Sequence, residues 1–354
     1  MKGRVMRWYA SAAILTGFVL CCGCEQQPQA TPAGADAAAE SVVVYTALDR
    51  QFSEPILAEF TRQTGVKVEA GYDTESTKTV GLVNRIRAEK RRPRCDVFWN
   101  NEILNTLRLK NEGLLQPCEP EQASHFPAVF RDEEKFWYGF AARARVLIVN
   151  TDLVKPDDMP NSIHDLAAPK WKGRAGIAKP LFGTTASHAA CLFALLGRQD
   201  AAELFMSFKR NDVQVVGGNK TCAEMVAAGA LAFGLTDTDD AIIEKEAGKP
   251  VAIVFPDGGE NQMGALLLPN TLCLIKDCPN PDAGKMLINY LLSPEVETKL
   301  AQGPSAQIPL HAQTKTVSRA CDAGAVKHME VDFGRAAEAF AEAAKFIENE
   351  FLTP

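Results

Sequence analysis

The sequence predicts an α/β fold in which parallel strands alternate with helices. Runs at 41–48, 65–72 and 95–101 have the pattern of strands, and stretches of helical period at 54–64 and 79–88 separate them. This β-α-β-α-β order is typical of a parallel sheet covered by helices. No repeat with a period of about 20–50 residues is present, which argues against solenoids and propellers.

The alternation continues along the rest of the chain. The predicted strands are 143–150, 174–179, 213–218, 231–237 and 251–256, and the predicted helices are 187–197, 201–209, 222–229 and 283–292. A last amphipathic helix is predicted at 333–351, because apolar side chains recur there at helical spacing. Strands and helices therefore alternate almost to the C-terminus, as the α/β assignment requires.

The length and the formal charge of the chain limit the classes of function that it can have. The chain has 354 residues, of which 46% are hydrophobic and 23% charged, as in ordinary soluble proteins. This length is enough for two domains, each with its own core. The formal charge is −6, and the longest basic run comprises Lys90, Arg91, Arg92 and Arg94, too short for a nucleic-acid interface. We therefore expect no nucleic-acid partner.

Residues 1–24 have the pattern of an export signal. Three cations precede an apolar run over 8–20, which is too short to cross a bilayer core of about 30 Å as a permanent helix. The run ends in Cys21, Cys22, Gly23 and Cys24, which resembles the lipobox of bacterial lipoproteins. We predict a lipoprotein signal peptide at 1–24, with Cys24 as the acylated residue. Cys22 is the alternative acceptor, and a plain signal peptide is the alternative class.

Residues 25–40 form a predicted tether. They contain no large apolar side chain, so we expect a flexible linker between lipid and domain. Removal of residues 1–24 takes away three cations and changes the formal charge from −6 to −9. No second apolar stretch of about 20 residues follows, so membrane contact is predicted through the lipid anchor alone.

The seven cysteines beyond residue 24 are predicted to be mostly buried thiols. An odd number prevents complete pairing, and none lies in a C-x-x-C pair of the kind found in zinc ribbons and thioredoxins. Several lie in apolar runs, where cysteine packs like a small hydrophobic residue. Cys273 and Cys278 are the only local pair for which a disulfide is worth testing.

Motifs for enzymatic chemistry are absent from the sequence. It contains no G-x-S-x-G, H-E-x-x-H or G-x-G-x-x-G, and its five histidines are scattered without ligand spacing. The stretch GGNKT at 217–221 lacks the glycine that precedes lysine in a phosphate-binding loop. We therefore predict a protein that is not an enzyme and has no cofactor. A secreted enzyme or a sensor is the remote alternative.

Segments spread along the chain resemble one known family. They are VVVYTALDRQFSEPILAEFTRQTGVKV (42–68), CDVFWNNEI (95–103), NEGLLQP (111–117), ARARVLIVNTDLV (142–154), LAAPKWKGRAGIAKP (166–180), AGALAFGLTDTDDA (228–241), the long run at 269–301 and SAQIPL (305–310). In order and spacing they resemble bacterial extracellular solute-binding proteins of family 1, in the ferric-iron-binding branch. The resemblance covers about residues 41–350.

The resemblance implies a two-lobed periplasmic-binding-protein type II fold that closes on its ligand. Lobe 1 would comprise 41–143 and 268–321, lobe 2 would comprise 144–267, and the C-terminal segment 322–354 would pack on lobe 2. The implied role is the substrate-binding lipoprotein of an ABC importer, a monomer with a permease and its ATPase as partners. The soluble domain is expected in the periplasm, anchored to the cell envelope.

The resemblance also implies where the ligand binds. Ferric-binding members use a pair of tyrosines, whose positions fall here at Thr238 and Asp239, and none of the five tyrosines of this chain stands there. The histidine and glutamate positions of the family fall at Asp49 and at Asn101, next to Glu102.

The residues at these positions are instead rich in carboxylates. Asp237, Asp239 and Asp240, with Asp49 across the cleft, could hold a hard cation through oxygen or pair with an ammonium group. The same stretch has the pattern of an N-capped helix with an acidic first turn, which needs no ligand.

Two turns are candidates for binding an anion. At 183–187 and 217–221, glycine and hydroxyl or amide residues precede helices, whose free N–H groups attract phosphate or carbonate. Ordinary helix capping is the alternative explanation. The complete predicted substrate-binding set is Tyr45, Thr46, Asp49, Asn100, Asn101, Glu102, Thr184, Thr185, Asn219, Thr221, Asp237, Thr238, Asp239 and Asp240.

Acidic residues opposite anion-binding turns are compatible with two classes of ligand. The first is ferric iron or another hard metal ion, transported with a companion anion. The second is a small organic anion or zwitterion such as 2-aminoethylphosphonate, or a polyamine. Both classes are known for binding proteins of this fold, so the resemblance does not choose between them.

Overall fold

The computed structural model describes residues 41–73, 79–321 and 326–353. The predicted signal peptide, the tether and the acylated Cys24 lie outside these residues. Within the described ranges, no helix is both long enough and apolar enough to cross a membrane.

The first part of the described chain contains three parallel strands with helices between them. β1 spans Ser41–Thr46, α1 Arg50–Thr64, β2 Lys67–Tyr72, α2 Val80–Ala88, β3 Val97–Asn100, α3 Leu104–Asn111 and β4 Leu115–Gln116. β1 pairs in parallel with both β2 and β3. The predicted β-α-β-α-β unit is confirmed, and α3 is an element that the sequence pattern does not predict.

A long strand, β5, connects this group to a second group of strands. β5 spans Trp137–Asn150 and is buried over its whole length. Its first half pairs with β10 (Leu267–Ile275), and its second half pairs with β8 (Phe233–Asp237) and β9 (Val251–Val254). The strand order is β2-β1-β3-β10-β5-β8-β6-β7, so β5 and β10 lie between the two parallel groups.

The second group again alternates strands and helices. It contains β6 (Ala175–Ala178), α4 (Gly183–Leu196), α5 (Arg198–Arg210), β7 (Gln214–Val216), α6 (Asn219–Ala227) and α7 (Thr238–Glu246), and after β10 follow α8 (Pro281–Leu291), α9 (Pro294–Gln302) and α10 (Phe333–Phe346). β6 pairs in parallel with both β7 and β8. α10 continues as one turn of π-helix and packs against both α4 and α3.

The sequence pattern does not predict β10, and the reason is Pro269. Proline cannot donate to a strand ladder, so it argues against a central strand. The register between β10 and β5 shifts between Leu268 and Asn270, a bulge that accommodates the proline at the centre of the sheet.

The cysteines are buried thiols, as predicted. All seven that the structure describes are buried, and Cys273 and Cys278 form no disulfide. Burial raises the pKa of the Cys118 thiol to about 11, because the apolar surroundings disfavour the thiolate. These side chains therefore behave as core residues.

Candidate functional site

A pocket lies where the ends of several strands meet the starts of helices. It collects the end of β3, the middle of β5, the residues after β6, and the first turns of α4, α6 and α7. Its lining residues are Asn101, Arg143, Ala178, Lys179, Phe182, Gly183, Thr184, Thr185, Gly217, Gly218, Asn219, Asp237, Asp239 and Asp240. Strand ends followed by helix starts are the usual place for ligands in α/β sheets.

A buried ion pair forms the floor of this site. Arg145 projects from β5 and is 0% exposed, and its Nη1 donates to Asp237 Oδ1 at 2.6 Å. Thr184 Oγ1 and Asn219 Nδ2 donate to the other oxygen, Oδ2, at 2.5 and 3.0 Å. Burial alone would raise the pKa of Asp237, but the charges of Arg145 and Arg143 together with these hydrogen bonds hold it below its usual range.

Arg143 is the second buried cation, two residues earlier on the same face of β5. It is 3% exposed, and its Nη1 lies 3.4 Å from Asp239 Oδ2. Burial disfavours its charge, yet Asp239, Asp237, Asp240 and Asp49 raise its pKa above the ordinary arginine value. Its Nε has no hydrogen-bond partner among the described residues.

The first turns of α4 and α6 reach the pocket through a connected set of side chains. Thr185 Oγ1 donates to Asn219 Oδ1 at 2.9 Å, and Arg145 donates to both of these side chains. Gly183 has a φ of +54°, which glycine accepts without strain and which lets the chain turn into α4. The first N–H groups of each helix have no partner inside the helix, so this side of the pocket favours negative charge.

In the described conformation, the start of α3 and the first turns of α4 lie close together. Ser187 Oγ on α4 donates to Glu102 Oε2 at 2.7 Å, and both residues are fully buried. The open space between the lining side chains measures about 20 Å³, room for roughly one water molecule. The pocket is therefore narrow in the described conformation.

Seven of the predicted site residues line the pocket together. They are Asn101, Thr184, Thr185, Asn219, Asp237, Asp239 and Asp240. Asp49 is half-buried at the residue before α1, and its charge acts on Arg143. The sequence therefore locates the pocket from its turns and acidic residues.

Other predicted site residues lie outside the pocket lining. Tyr45 donates its hydroxyl to Glu89 beneath the guanidinium of Arg85, and burial together with Glu89 raises its pKa. Thr46 accepts from the backbone of the following turn, and Thr238 Oγ1 accepts from Ala144 N at 3.2 Å. Each of these three side chains is occupied by a structural contact within the fold.

The remaining predicted residues hold the start of α3 or lie at the edge of the site. Glu102 accepts from the first backbone N–H groups of α3 and from Asn100 Nδ2. Thr221 lies within α6, half-buried and outside the lining. Asp237 occupies the N-cap position of α7, and Asp239 and Asp240 lie in its first turn, but the side chain of Asp237 makes no capping hydrogen bond and instead binds Arg145.

The cations of the site are not among the residues predicted from the sequence. Arg143, Arg145 and Lys179 are absent from the predicted set, although the run ARARVLIVN places two arginines at alternating positions of one strand. Residues two apart share a face of a strand. Two arginines on one face of a buried strand require buried acidic partners. The run ARARVLIVN therefore predicts carboxylates packed against this strand.

The three aspartates satisfy one geometric condition for a metal site. Asp237, Asp239 and Asp240 each offer a carboxylate oxygen, and these oxygens lie within 4.8 Å of one another. Hard cations prefer such oxygen ligands. A metal ion at this position must compete with Arg145 and Arg143, which already pair with Asp237 and Asp239.

One histidine lies behind the site. His188 on α4 is 2% exposed, and neither ring nitrogen has a partner among the described residues. Burial and the charge of Arg145 lower its pKa to about 3, so the ring is neutral at physiological pH. It therefore adds no charge to the pocket.

Residues 56–327 match the family of bacterial extracellular solute-binding proteins. The chain is 26% identical over 299 residues to iron uptake protein A1 of Synechocystis, covering 82% of this chain and 81% of that protein. It is 25% identical over 283 residues to a putative 2-aminoethylphosphonate-binding periplasmic protein of Salmonella typhi, covering 76% of this chain and 79% of that one. The relatives thus include binding proteins for different kinds of solute.

Solved structures share the fold. The crystal structure of iron-bound HitA from Pseudomonas aeruginosa matches with a TM-score of 0.79 at 23% identity, covering 88% of this chain and 99% of that one. The periplasmic binding protein AfuA from Actinobacillus pleuropneumoniae, solved with fructose-6-phosphate bound, matches with a TM-score of 0.78 at 22% identity, covering 89% and 99%. These neighbours confirm the predicted α/β fold as the two-lobed type of periplasmic binding proteins.

Proposed function

The chain belongs to the family of bacterial extracellular solute-binding proteins, and from this premise we propose that it is the binding component of an ABC importer for a small anionic solute. A phosphate, phosphonate or carboxylate group of the solute would bind at Arg143 and the helix starts. The importer's permease and ATPase are the proposed partners, and the domain would work in the periplasm as a monomer.

Arg143 carries this proposal. It lines the pocket, it is almost completely buried, and its Nε lacks a hydrogen-bond partner among the described residues. A buried donor without an acceptor costs free energy, which an anionic oxygen of a solute would recover. Lys179 and the first turns of α4 and α6 line the same pocket and add to the attraction for an anion.

The aspartates suggest a second group on the solute. Asp239 and Asp240, in the first turn of α7, line the same pocket as the first turns of α4 and α6 and can accept hydrogen bonds from an amine or from hydroxyl groups. A zwitterion such as 2-aminoethylphosphonate, or a hydroxyl-rich phosphate ester, presents both kinds of group. Two similar proteins agree with this class, the putative 2-aminoethylphosphonate-binding protein and AfuA with fructose-6-phosphate bound.

Binding would act through closure of the two lobes. A solute that contacts residues of both lobes gains these contacts only in the closed form, so it shifts the equilibrium toward closure. Glu102, which would belong to lobe 1, and Ser187, which would belong to lobe 2, share one direct hydrogen bond. A permease can then distinguish the closed, loaded form from the open one.

A ligand screen tests the proposal. Phosphate, 2-aminoethylphosphonate, fructose-6-phosphate, putrescine, ferric citrate and free Fe³⁺ are added separately, and the melting temperature is followed. A solute at about 100 times its Kd stabilises the folded state by about 2.7 kcal/mol, a shift of several degrees. Stabilisation by a phosphonate or phosphate without metal is expected. Stabilisation by iron or putrescine alone would contradict the anionic solute.

A hard metal ion is the second candidate, and one observation favours it. The carboxylate oxygens of Asp237, Asp239 and Asp240 lie within 4.8 Å of one another, and a companion anion could bind at the helix starts. Several similar proteins are named for ferric iron. In the screen, this function predicts stabilisation by free Fe³⁺ that a chelator removes.

The hydrogen bond between Ser187 and Glu102 should affect the closed state. We expect Ser187→Ala to lower the affinity for the solute by up to about tenfold, because the closed form loses one hydrogen bond to a carboxylate. Small-angle scattering should then show a larger radius of gyration without ligand. Ser207→Ala is the control, since that hydroxyl donates only to Leu204 O within α5. Equal affinities of the two variants would show that the bond does not favour closure.

Substitution of the predicted acylated cysteine tests the proposed lipid anchor. We expect Cys24→Ser to move the protein from the membrane fraction to the soluble fraction, because the thiol that accepts the lipid is gone. Cys22→Ser is the matched control and should stay membrane-bound. Continued labelling of Cys24→Ser by radioactive palmitate would instead identify Cys22 as the acceptor.

A further inference from the structure

Five cations form an exposed patch outside the pocket lining, which we call the basic edge. Its members are Lys90, Arg91, Arg92, Arg94 and Lys276, all exposed. None of the five forms a salt bridge with a residue that the structure describes. In a chain with a formal charge of −6, a group of such cations on one surface is unexpected.

The acidic groups near the basic edge do not neutralise it. Glu89 binds Arg85 at 3.0 Å and Tyr45 at 2.9 Å, and Glu112 binds Arg87. Asp277 is exposed next to Lys276 and offsets one charge. The edge therefore keeps an excess of positive charge while the chain as a whole is acidic.

The basic edge lies at the end of the sheet where the parallel strands begin. Val44 of β1 pairs in parallel with Val97 of β3. Three residues earlier on each segment, Arg94 therefore lies beside Ser41, the first residue of β1. Leu274 of the antiparallel β10 also pairs with Val97, which brings Lys276 to the same end. The pocket residue Asn101 follows the opposite end of β3.

We propose, on the premise of the lipid anchor proposed above, that the basic edge binds the anionic phospholipid headgroups of the membrane that holds this anchor. The chain enters the domain at Ser41, so any anchor at the N-terminal segment is joined to this end of the sheet. The predicted tether at 25–40 has 16 residues, and a flexible linker of this length spans about 20–25 Å on average, enough for the edge to reach an adjacent bilayer. Lys and Arg next to an anionic surface are attracted by its potential.

The shape and composition of the edge favour a lipid surface over a folded protein partner. A recess of about 170 Å³ lies among Lys90, Arg94 and Lys276, large enough for a phosphate-bearing headgroup. The cations sit on a short loop and a strand end, without the central aromatic anchor that protein interfaces use. Because the pocket lies at the other end of the sheet, docking here leaves the pocket open to the periplasm for capture of solute.

Hydrogen exchange on the full chain tests this proposal. The protein is incorporated in vesicles of phosphatidylcholine, either alone or mixed with phosphatidylglycerol, and the amides of 89–95 are compared. We expect slower exchange on the vesicles that contain phosphatidylglycerol, and we expect the difference to disappear at high ionic strength. Equal exchange on both kinds of vesicle would overturn the proposal and leave an acidic protein face as the partner.

Two variants with the same change in net charge test whether vesicle binding depends on the basic edge or only on the total charge of the chain. In Lys90→Gln/Arg91→Gln/Arg92→Gln/Arg94→Gln, affinity for phosphatidylglycerol vesicles should fall about fivefold for each cation removed. The control replaces Lys155, Lys249, Lys315 and Arg335 with glutamine, all exposed and outside the edge. A loss of the same size in the control would show that only the total charge matters, which contradicts the proposal.

Discussion

Asp237→Asn is expected to lower the free energy of unfolding of the ligand-free protein by about 3–5 kcal/mol. The substitution leaves Arg145 completely buried and without its counter-ion, which is among the most costly changes in a protein interior. It also leaves an amide where Thr184 and Asn219 donate to a carboxylate. Denaturant unfolding followed by circular dichroism measures the difference.

Two further variants identify the cause of this loss. Arg145→Met/Asp237→Leu removes both charges and should recover most of the stability, because no buried ion remains. Asp158→Asn breaks an exposed pair with Lys170 and should change stability by less than about 1 kcal/mol. If Asp237→Asn lowered the free energy of unfolding as little as Asp158→Asn, the buried pair would not determine the stability of the protein.

The buried ion pair of Arg145 and Asp237 also predicts that stability depends on pH. The pKa of Asp237 is lower in the folded than in the unfolded chain, so its stabilisation is complete above the unfolded value, near 4. It is lost as the pH falls through the folded value. The difference between the wild type and Asp237→Asn should therefore be largest at neutral pH and shrink below about pH 4. A constant difference over this range would contradict the assigned charge state.

The sequence predicts those parts of the site that depend on local pattern. Thr184, Thr185 and Asn219 are found because glycine-containing turns before helices are visible in a short window. Asp237 and Asp239 are found because acidic residues follow a β-rich run at the start of a helix. Each of these signals needs only a few consecutive residues.

The parts that sequence reasoning missed depend on contacts between distant residues. Arg145 meets Asp237 across 92 positions, and Arg143 meets Asp239 across 96. Only the pairing of β5 with β8, in which Arg145 lies directly opposite Asp237, brings these charges together. Without that register, the aspartates resemble a free acidic cluster, and a cation is the natural ligand to predict.

Arg143→Met is expected to lower the affinity for an anionic solute by about tenfold to hundredfold. It removes a charged donor of the pocket and leaves Asp239 to repel the solute. Isothermal titration with the solute identified in the ligand screen measures the loss. Arg198→Met is the control, because it breaks only an exposed pair with Glu342. Equal affinities of the two variants would remove Arg143 from the binding site.

Arg143→Met and Asp239→Asn together decide between the two kinds of ligand, because the expected signs are opposite. If the solute carries only negative charge, loss of Arg143 weakens binding, whereas loss of the Asp239 charge frees Arg143 and maintains or strengthens it. If the solute is a zwitterion whose amine binds Asp239, both changes weaken binding. If the ligand is a metal ion, Arg143→Met releases a carboxylate for coordination and strengthens binding, whereas Asp239→Asn removes a ligand and weakens it. The observed order of the two affinities thus identifies the sign of the charge that the pocket recognises on the transported species.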